Sequence, residues 1–247
     1  MDLRERPDTT SRHPWEVSRS RFFRRLIAAH APTQTRTVLD VGSGDNWFAN
    51  ELLNDLPTDS RIVCWDAHYT EADMAEAIDP RLHRTSVAPE GTYPLVLALD
   101  VLEHVEDDAG FLESAVVPRI QAQGLFIVSV PAFQWLFTSH DQALGHFRRH
   151  NRSTLHALLQ PHLTIVQEGS LFTSLVPPRA VQRLVEHIRP PSGPTNEISS
   201  AWTHGRTLTS AITGVLDADA RLGLAAARRR VPLPGLSLWA VCRLAHP

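Results

Sequence analysis

The chain has 247 residues, 43% of them apolar, a formal net charge of −3 and a pI near 6.5. That length suits one α/β domain with additions, and the charge balance excludes a global positive field that would draw the protein to nucleic acid or an anionic membrane. All 24 basic residues are arginine, with no lysine anywhere, which excludes Schiff-base chemistry, pyridoxal phosphate anchoring and the lysine-dependent phosphate loop.

Residues 1–12 are polar and expected to be disordered. They lack the apolar stretch of a signal peptide, and no apolar run reaches the ~18 residues of a membrane span. Residues 13–29 place Trp15, Phe22 and Leu26, with neighbouring Phe23 and Ile27, at helical spacing. A buried strand is expected at 37–41 and a helix at 47–56. A second strand at 61–65 closes on Asp66, before a helix at 70–77. Strands follow at 82–86 and 95–99. Cys64 and Cys242 sit in apolar, strand-like runs and read as reduced core thiols of a cytoplasmic protein.

Asp107 or Asp108 can cap a helix carrying Phe111, Leu112, Ala115, Val116 and Ile120, ended by Gly124. A fifth strand at 125–130 stops at Pro131. Asn151 is placed to cap a helix through Leu159, and a strand follows at 163–167. Apolar strands alternating with amphipathic helices predict an α/β, doubly wound, mostly parallel sheet covered on both faces. Beyond Gly169 the pattern changes. Val181, Leu184, Val185 and Ile188 fall at i, i+3, i+4 and i+7, a Pro/Gly/Ser-rich connector (RPPSGPTNEISS) follows, and Leu208, Ile212, Val215, Leu216 and Leu222 mark another helix. The last strand is expected at 236–244. The organisation is therefore a single domain over 13–247, with an N-terminal helical cap at 13–29 and a helical insertion at 170–235.

The segment VLDVGSGDNWF (38–48) runs a buried strand into a glycine turn and then a helix, the layout of a nucleotide site. Trp47 stands where a dinucleotide turn needs its third glycine, which disfavours a nicotinamide oxidoreductase. An acid before Gly-x-Gly suits a ligand carrying an ammonium group, and Asp40 fits. Asp66, at the end of the second strand, is placed to accept ribose hydroxyls. DVLEHV (100–105) follows the fourth strand.

With these motifs in register, the chain resembles the class I S-adenosylmethionine-dependent methyltransferases, in the small-molecule branch with a DVLEHV-type motif. The resemblance covers about 13–170 and 236–244, and SVPAFQWLFTSHDQALGHFRRHNRSTL adds to it. It implies a Rossmann-like seven-stranded sheet with an antiparallel last strand and S-adenosylmethionine as cofactor. Asp40, Gly42, Ser43, Gly44, Asn46 and Trp47 would surround the methionine part, Asp66 and Ala67 the ribose, and Asp100, Val101 and Leu102 the sulfonium side. Asn46 replaces a frequent third glycine and tolerates left-handed backbone angles.

Methyl transfer is an in-line displacement in which positioning supplies much of the rate. A hydroxyl acceptor also wants a base near neutrality, and histidine is the natural one. His146 is the first candidate and His140 the second, with His104 on the cofactor rim and Asp141 available to orient an imidazole. Trp15, Phe22, Arg148 and Arg149 are candidate substrate contacts. The main reading assigns no metal. A variant has Glu103 and His104, joined by His140 or His146, ligate a divalent ion, resembling metal-dependent RNA 3′-end methyltransferases. The other alternative is a non-catalytic cofactor-binding module. The expected partner is a small molecule of biosynthesis, not nucleic acid, with a homodimer as an expected assembly. The N-terminal helix and the insertion are expected to wall the substrate cavity as a lid.

Overall fold

The computed structural model describes residues 12–189, 202 and 204–245; the expectations for 1–11 and for the connector at 190–200 lie outside them. Seven strands form one sheet in the order β3-β2-β1-β4-β5-β7-β6. They are β1 (Thr37–Val41), β2 (Arg61–Trp65), β3 (Leu82–Thr85), β4 (Tyr93–Leu99), β5 (Ile120–Pro131), β6 (Leu163–Leu171) and β7 (Ser237–Leu244). The first five strands are mutually parallel, and β7 runs antiparallel to both β5 and β6. Chain order reverses at β1, whose neighbours are β2 and β4. In such sheets ligands bind beyond the carboxyl ends of the strands at this switch point.

The helices are α1 (Pro14–His30), α2 (Trp47–Leu53), α3 (Glu71–Ala75), α4 (Asp108–Phe111), α5 (Ser139–Ala143), α6 (Arg152–Leu159), α7 (Val176–Ile188) and α8 (Arg206–Arg228). His13 caps α1 by accepting from Trp15 N, while Glu16 returns a carboxylate to the His13 amide, and Pro14 fills the first turn. Asn151 caps α6 in the same reciprocal way through Thr154.

Two apolar layers cover the sheet. On one face Phe22, Phe23, Leu26 and Ile27 of α1 join Leu216, Ala220 and Ala227 of α8 over Val38, Ile62, Leu95 and Trp239; on the other, Leu112, Val116, Leu155 and Leu159 pack on Leu39, Val96, Phe126 and Val128. Each large α1 side chain contributes roughly 1.5–3 kcal/mol as an upper estimate. The helix is therefore part of the core as well as a cap. Phe22 belongs to that core, at 2% exposure against Phe23 and Trp239. It does not line the cavity described below, which corrects its assignment as a substrate contact.

One predicted helix differs from the structure. The helix expected to run from Asp107 to Gly124 is broken. After α4 the chain widens to a π turn at Leu112–Val116 and tightens to a 3₁₀ turn at Val117–Arg119, because Pro118 has no N–H with which to continue the ladder. Strand β5 therefore starts at Ile120, and Gly124 lies inside it, where a Cβ would stand 2.9 Å from the Tyr93 carbonyl. Helix α7 keeps the helical spacing expected of it and is set apart by exposure. None of its residues is buried, and Val181, Leu184, Val185 and Ile188 are 53–68% exposed. Its periodic apolar stripe faces solvent rather than the rest of the described chain.

Candidate active site

The turn after β1 is shaped by close approach. Gly42 has φ +65°, and a Cβ there would lie 2.6 Å from Val101 Cγ2, so the loops after β1 and β4 touch only because position 42 has no side chain. Asn46 holds the left-handed conformation, φ 62°, at the start of α2. Its amide donates to Ser43 Oγ at 3.0 Å and to the Tyr69 hydroxyl, while Arg84 Nε donates to its carbonyl oxygen. Ser43 Oγ in turn donates to Asp40 Oδ2 at 2.9 Å. Asp40 is 4% exposed. Burial pushes its carboxyl up to about 6, against the hydrogen bond from Ser43. Asp66 clamps the turn from the next strand, accepting from Gly44 N at 3.0 Å and His68 N at 2.9 Å.

At the end of β4, Asp100 sits at φ 59°. Ser129 Oγ donates to its Oδ1 at 2.8 Å, and Arg19 Nη2 lies 2.7 Å from its Oδ2 and donates to Ser129 Oγ at 3.0 Å. Burial works against ionisation of Asp100, but Arg19 and the Ser129 hydrogen bond outweigh it and hold the carboxyl below its ordinary value. The Arg19 guanidinium also lies over the rings of Trp15, at 5.5 Å, and Phe23, at 5.1 Å. Helix α1 thus plants an arginine on the rim of the switch point. Sequence reasoning missed this residue. Its faint signal was a pair of serines, Ser18 and Ser20, flanking an arginine three residues before the apolar pair Phe22 and Phe23.

The segment after β5 is organised around Asp141, which is fully buried. Its Oδ1 accepts from Arg149 Nε at 2.8 Å and lies 3.1 Å from His146 Nδ1; its Oδ2 accepts from Arg179 Nη2 at 2.7 Å and from Thr138 N at 2.8 Å. Burial raises this carboxyl, yet the His146 bond and the arginines overcome it and hold it far below the carboxylate range. An ionised Asp141 only accepts, so Nδ1 of His146 carries the proton and Nε2 offers a lone pair. The His146 ring stands 4.5 Å from that of His104 at 88°. Beside them Glu103 is 1% exposed; burial first, then Asp100, raises its carboxyl well above its usual value.

These groups border a cavity of about 520 Å³. Trp15, Glu16 and Arg19 line it from α1, Trp47 and Phe48 from α2, Asp100, Glu103 and His104 from the loop after β4, and His140, Asp141, His146 and Arg149 from the segment after β5. Arg179 and Gln182 close it from α7. The sequence reading gave α7 no named residue in the site, because Arg179 meets Asp141 only through the fold.

The predicted residues fall into three groups. His104, His140, His146, Trp15, Arg149, Trp47 and Asp100 line the cavity together. Asp40 lies near the end of β1, Gly42, Ser43, Gly44, Asn46, Asp66 and Ala67 lie in the turns after β1 and β2, and Val101 seals the first of these turns against Gly42. Leu102, like Phe22, is displaced from its expected role: its side chain is wholly buried in the second apolar layer. Arg148 also points elsewhere, pairing with Asp108 at 2.7 Å and donating to the Glu106 carbonyl. The fourth histidine of the region, His150, is buried 3.6 Å from Asp108. Burial lowers the pKa of His140, and the Arg179 charge adds to this.

No protein-family model matches the chain. Part of it is 29% identical, over 107 residues, to ubiquinone biosynthesis O-methyltransferase of Methylobacterium sp. (strain 4-46); the match takes in 40% of this chain and 42% of that protein, so the chain spans under half of the curated relative it matches. Among solved structures, the 4+2 cyclase SpnF superposes with a TM-score of 0.56 at 14% identity, covering 96% of this chain and 85% of that one. Coclaurine N-methyltransferase bound to N-methylheliamine and SAH gives 0.52 at 10% identity, with 90% and 72% covered. Sheet order and these neighbours show a doubly wound, Rossmann-like fold of the kind that solved methyltransferases also have. Among the described residues no helix is long and apolar enough to cross a membrane.

Proposed function

We propose that the chain is an S-adenosylmethionine-dependent methyltransferase that acts on a small molecule. One observation carries this: the buried acid, glycine turn and second acid (Asp40, Gly42 and Gly44, Asp66) sit at the sheet's switch point, and the cavity is lined by Trp47, which opens the helix after that turn, and by Asp100, at the end of the neighbouring β4. A buried carboxylate beside a helix N-terminus suits a ligand with both an ammonium and a carboxylate. The cavity is of the size that encloses a small acceptor. We further propose that His146, oriented by Asp141, receives the acceptor's proton through Nε2, and that Trp15 and Arg179 belong to helices that wall the acceptor. Two buried, unpaired cysteines fit a cytoplasmic setting.

Calorimetry with S-adenosylmethionine and S-adenosylhomocysteine tests the cofactor; no heat at millimolar ligand sinks the proposal. A second reading is favoured by a specific likeness, since one neighbour in this fold is named for a cyclisation. In that case, cofactor binds but no acceptor gains a methyl group in a screen with isotopically labelled cofactor. A non-catalytic cofactor-binding module would bind cofactor and convert no small molecule at all.

A further inference from the structure

Glu103, His104 and His146 come from two separate loops, and one donor atom of each lies within 4.8 Å of the others. We propose that the three form a site for one divalent transition-metal ion, zinc foremost, with the remaining coordination positions open to the cavity. The Glu103 side chain is almost wholly buried, and its Oε2 meets no hydrogen-bond partner in the fold. A buried carboxylate oxygen left unpaired is costly, and a cation at this point removes the cost.

The surroundings of His146 point the same way. Asp141 Oδ1 accepts a hydrogen bond from Nδ1–H at 3.1 Å, which leaves Nε2 as a ligand atom. A carboxylate behind a ligating histidine is the usual second layer of a metal site. The two imidazoles stand nearly perpendicular, at 88°, and all three side chains line the cavity. Asp100 is close in sequence but is not a ligand, because Arg19 and Ser129 occupy its two oxygens. That leaves three protein ligands, the number found where a metal keeps a position for substrate. Two imidazoles and one carboxylate select zinc, cobalt or iron(II) over the oxygen-loving magnesium and calcium. Bonds near 2.1 Å bring donors to about 3.3 Å apart, so the side chains close up by rotation on binding.

The site is independent of methyl transfer, but under that proposal it changes one step. Ligation uses the His146 lone pair, so the base role given to His146 above belongs to the metal-free protein, and with the ion bound His146 is a ligand instead. An acceptor hydroxyl bound to the ion then loses its proton to solvent; its oxygen forms the new C–O bond while the C–S bond of the sulfonium breaks and leaves a thioether.

The test uses untagged, chelator-stripped protein titrated with zinc by calorimetry and with cobalt by visible absorbance. One equivalent binds, with the cobalt bands of a low-coordinate nitrogen–oxygen site. Glu103→Gln, His104→Ala and His146→Ala each weaken binding at least tenfold, and Asp141→Asn by about tenfold. His156→Ala, whose imidazole lies 2.5 Å from Glu168 and does not line the cavity, binds as the parent does. Circular dichroism verifies that each variant is folded, with His104→Gln replacing His104→Ala if that one is not. Absence of saturable binding, or unchanged affinity in the two histidine variants, overturns the proposal. Cofactor titration of the same metal-free protein separates the two proposals, since a failed metal site leaves cofactor affinity intact and a failed cofactor site leaves the metal isotherm intact.

Discussion

Asp40→Asn separates what the buried acid costs the fold from what it gives the ligand. The side chain is 4% exposed, and burial raises its carboxyl from an ordinary 3.8 to about 6. The folded state therefore holds the proton more tightly than the unfolded chain. Its stabilising contribution is complete below about pH 4 and is lost as pH rises through about 6, at 1.36 kcal/mol per pH unit between the two values. Asparagine keeps an oxygen to accept from Ser43 Oγ but never ionises. Integrating the linkage, the variant is more stable than the parent by about 1.5 kcal/mol at pH 5 and about 3 kcal/mol at pH 7.5, as an upper bound. Urea unfolding at both pH values, with unchanged m, measures the difference. The same variant binds S-adenosylmethionine at least about tenfold more weakly, because an ammonium loses its counter-charge. A gain that is flat with pH, or a variant less stable at the higher pH, refutes the reasoning.

Arg19→Met leaves Asp100 and Ser129 without their cation and is expected to cost about 3 kcal/mol by urea midpoint, because one partner of a largely buried pair remains uncompensated. Gly42→Ala must push Val101 aside and hold φ near +65°, which costs about 2 kcal/mol in thermal unfolding and weakens cofactor binding further. Burial pushes both Cys64 and Cys242 up to about 12, so neither thiol reacts with a disulfide reagent in the native protein at about pH 8, whereas both react once it is unfolded in guanidinium.

The parts of the fold visible in the sequence were those with local causes. Continuous apolar runs marked β1, β2 and β4 because both faces of those strands are covered, and Asn151 announced α6 because a cap acts within four residues. Asn46 was readable as a glycine substitute, since its left-handed backbone is a property of one residue. The helix before β5 was overextended because Phe111, Leu112, Ala115 and Val116 do keep helical spacing, while Pro118 breaks the hydrogen-bond ladder without breaking the apolar period. Arg19 was hidden for another reason. Its partner Ser129 is 110 residues away, and nothing near position 19 records that distance. The candidate histidines were visible as a group, but their ranking rests on Asp141, whose partners arrive from α5, α7 and the loop between α5 and α6. Phe22 was misassigned because an aromatic on a helix next to a site looks the same in sequence whether it faces ligand or core.

The position of β7 carries a consequence for how the chain is made. Among the described residues, strand β6 has β7 as its only neighbour in the sheet, and β7 is the last of the seven strands in chain order. Until Ser237–Leu244 emerges, β6 is a nine-residue strand with no partner on either side, and β5 has an open edge of its own. Both are templates for wrong pairing. Synthesis can complete the five parallel strands early, but the final quarter of the sheet closes in one event, when β7 slots between β5 and β6 and buries Trp239. A ribosome paused before position 237 therefore holds a nascent chain with two sticky edges, and that interval is when a chaperone matters most to this protein.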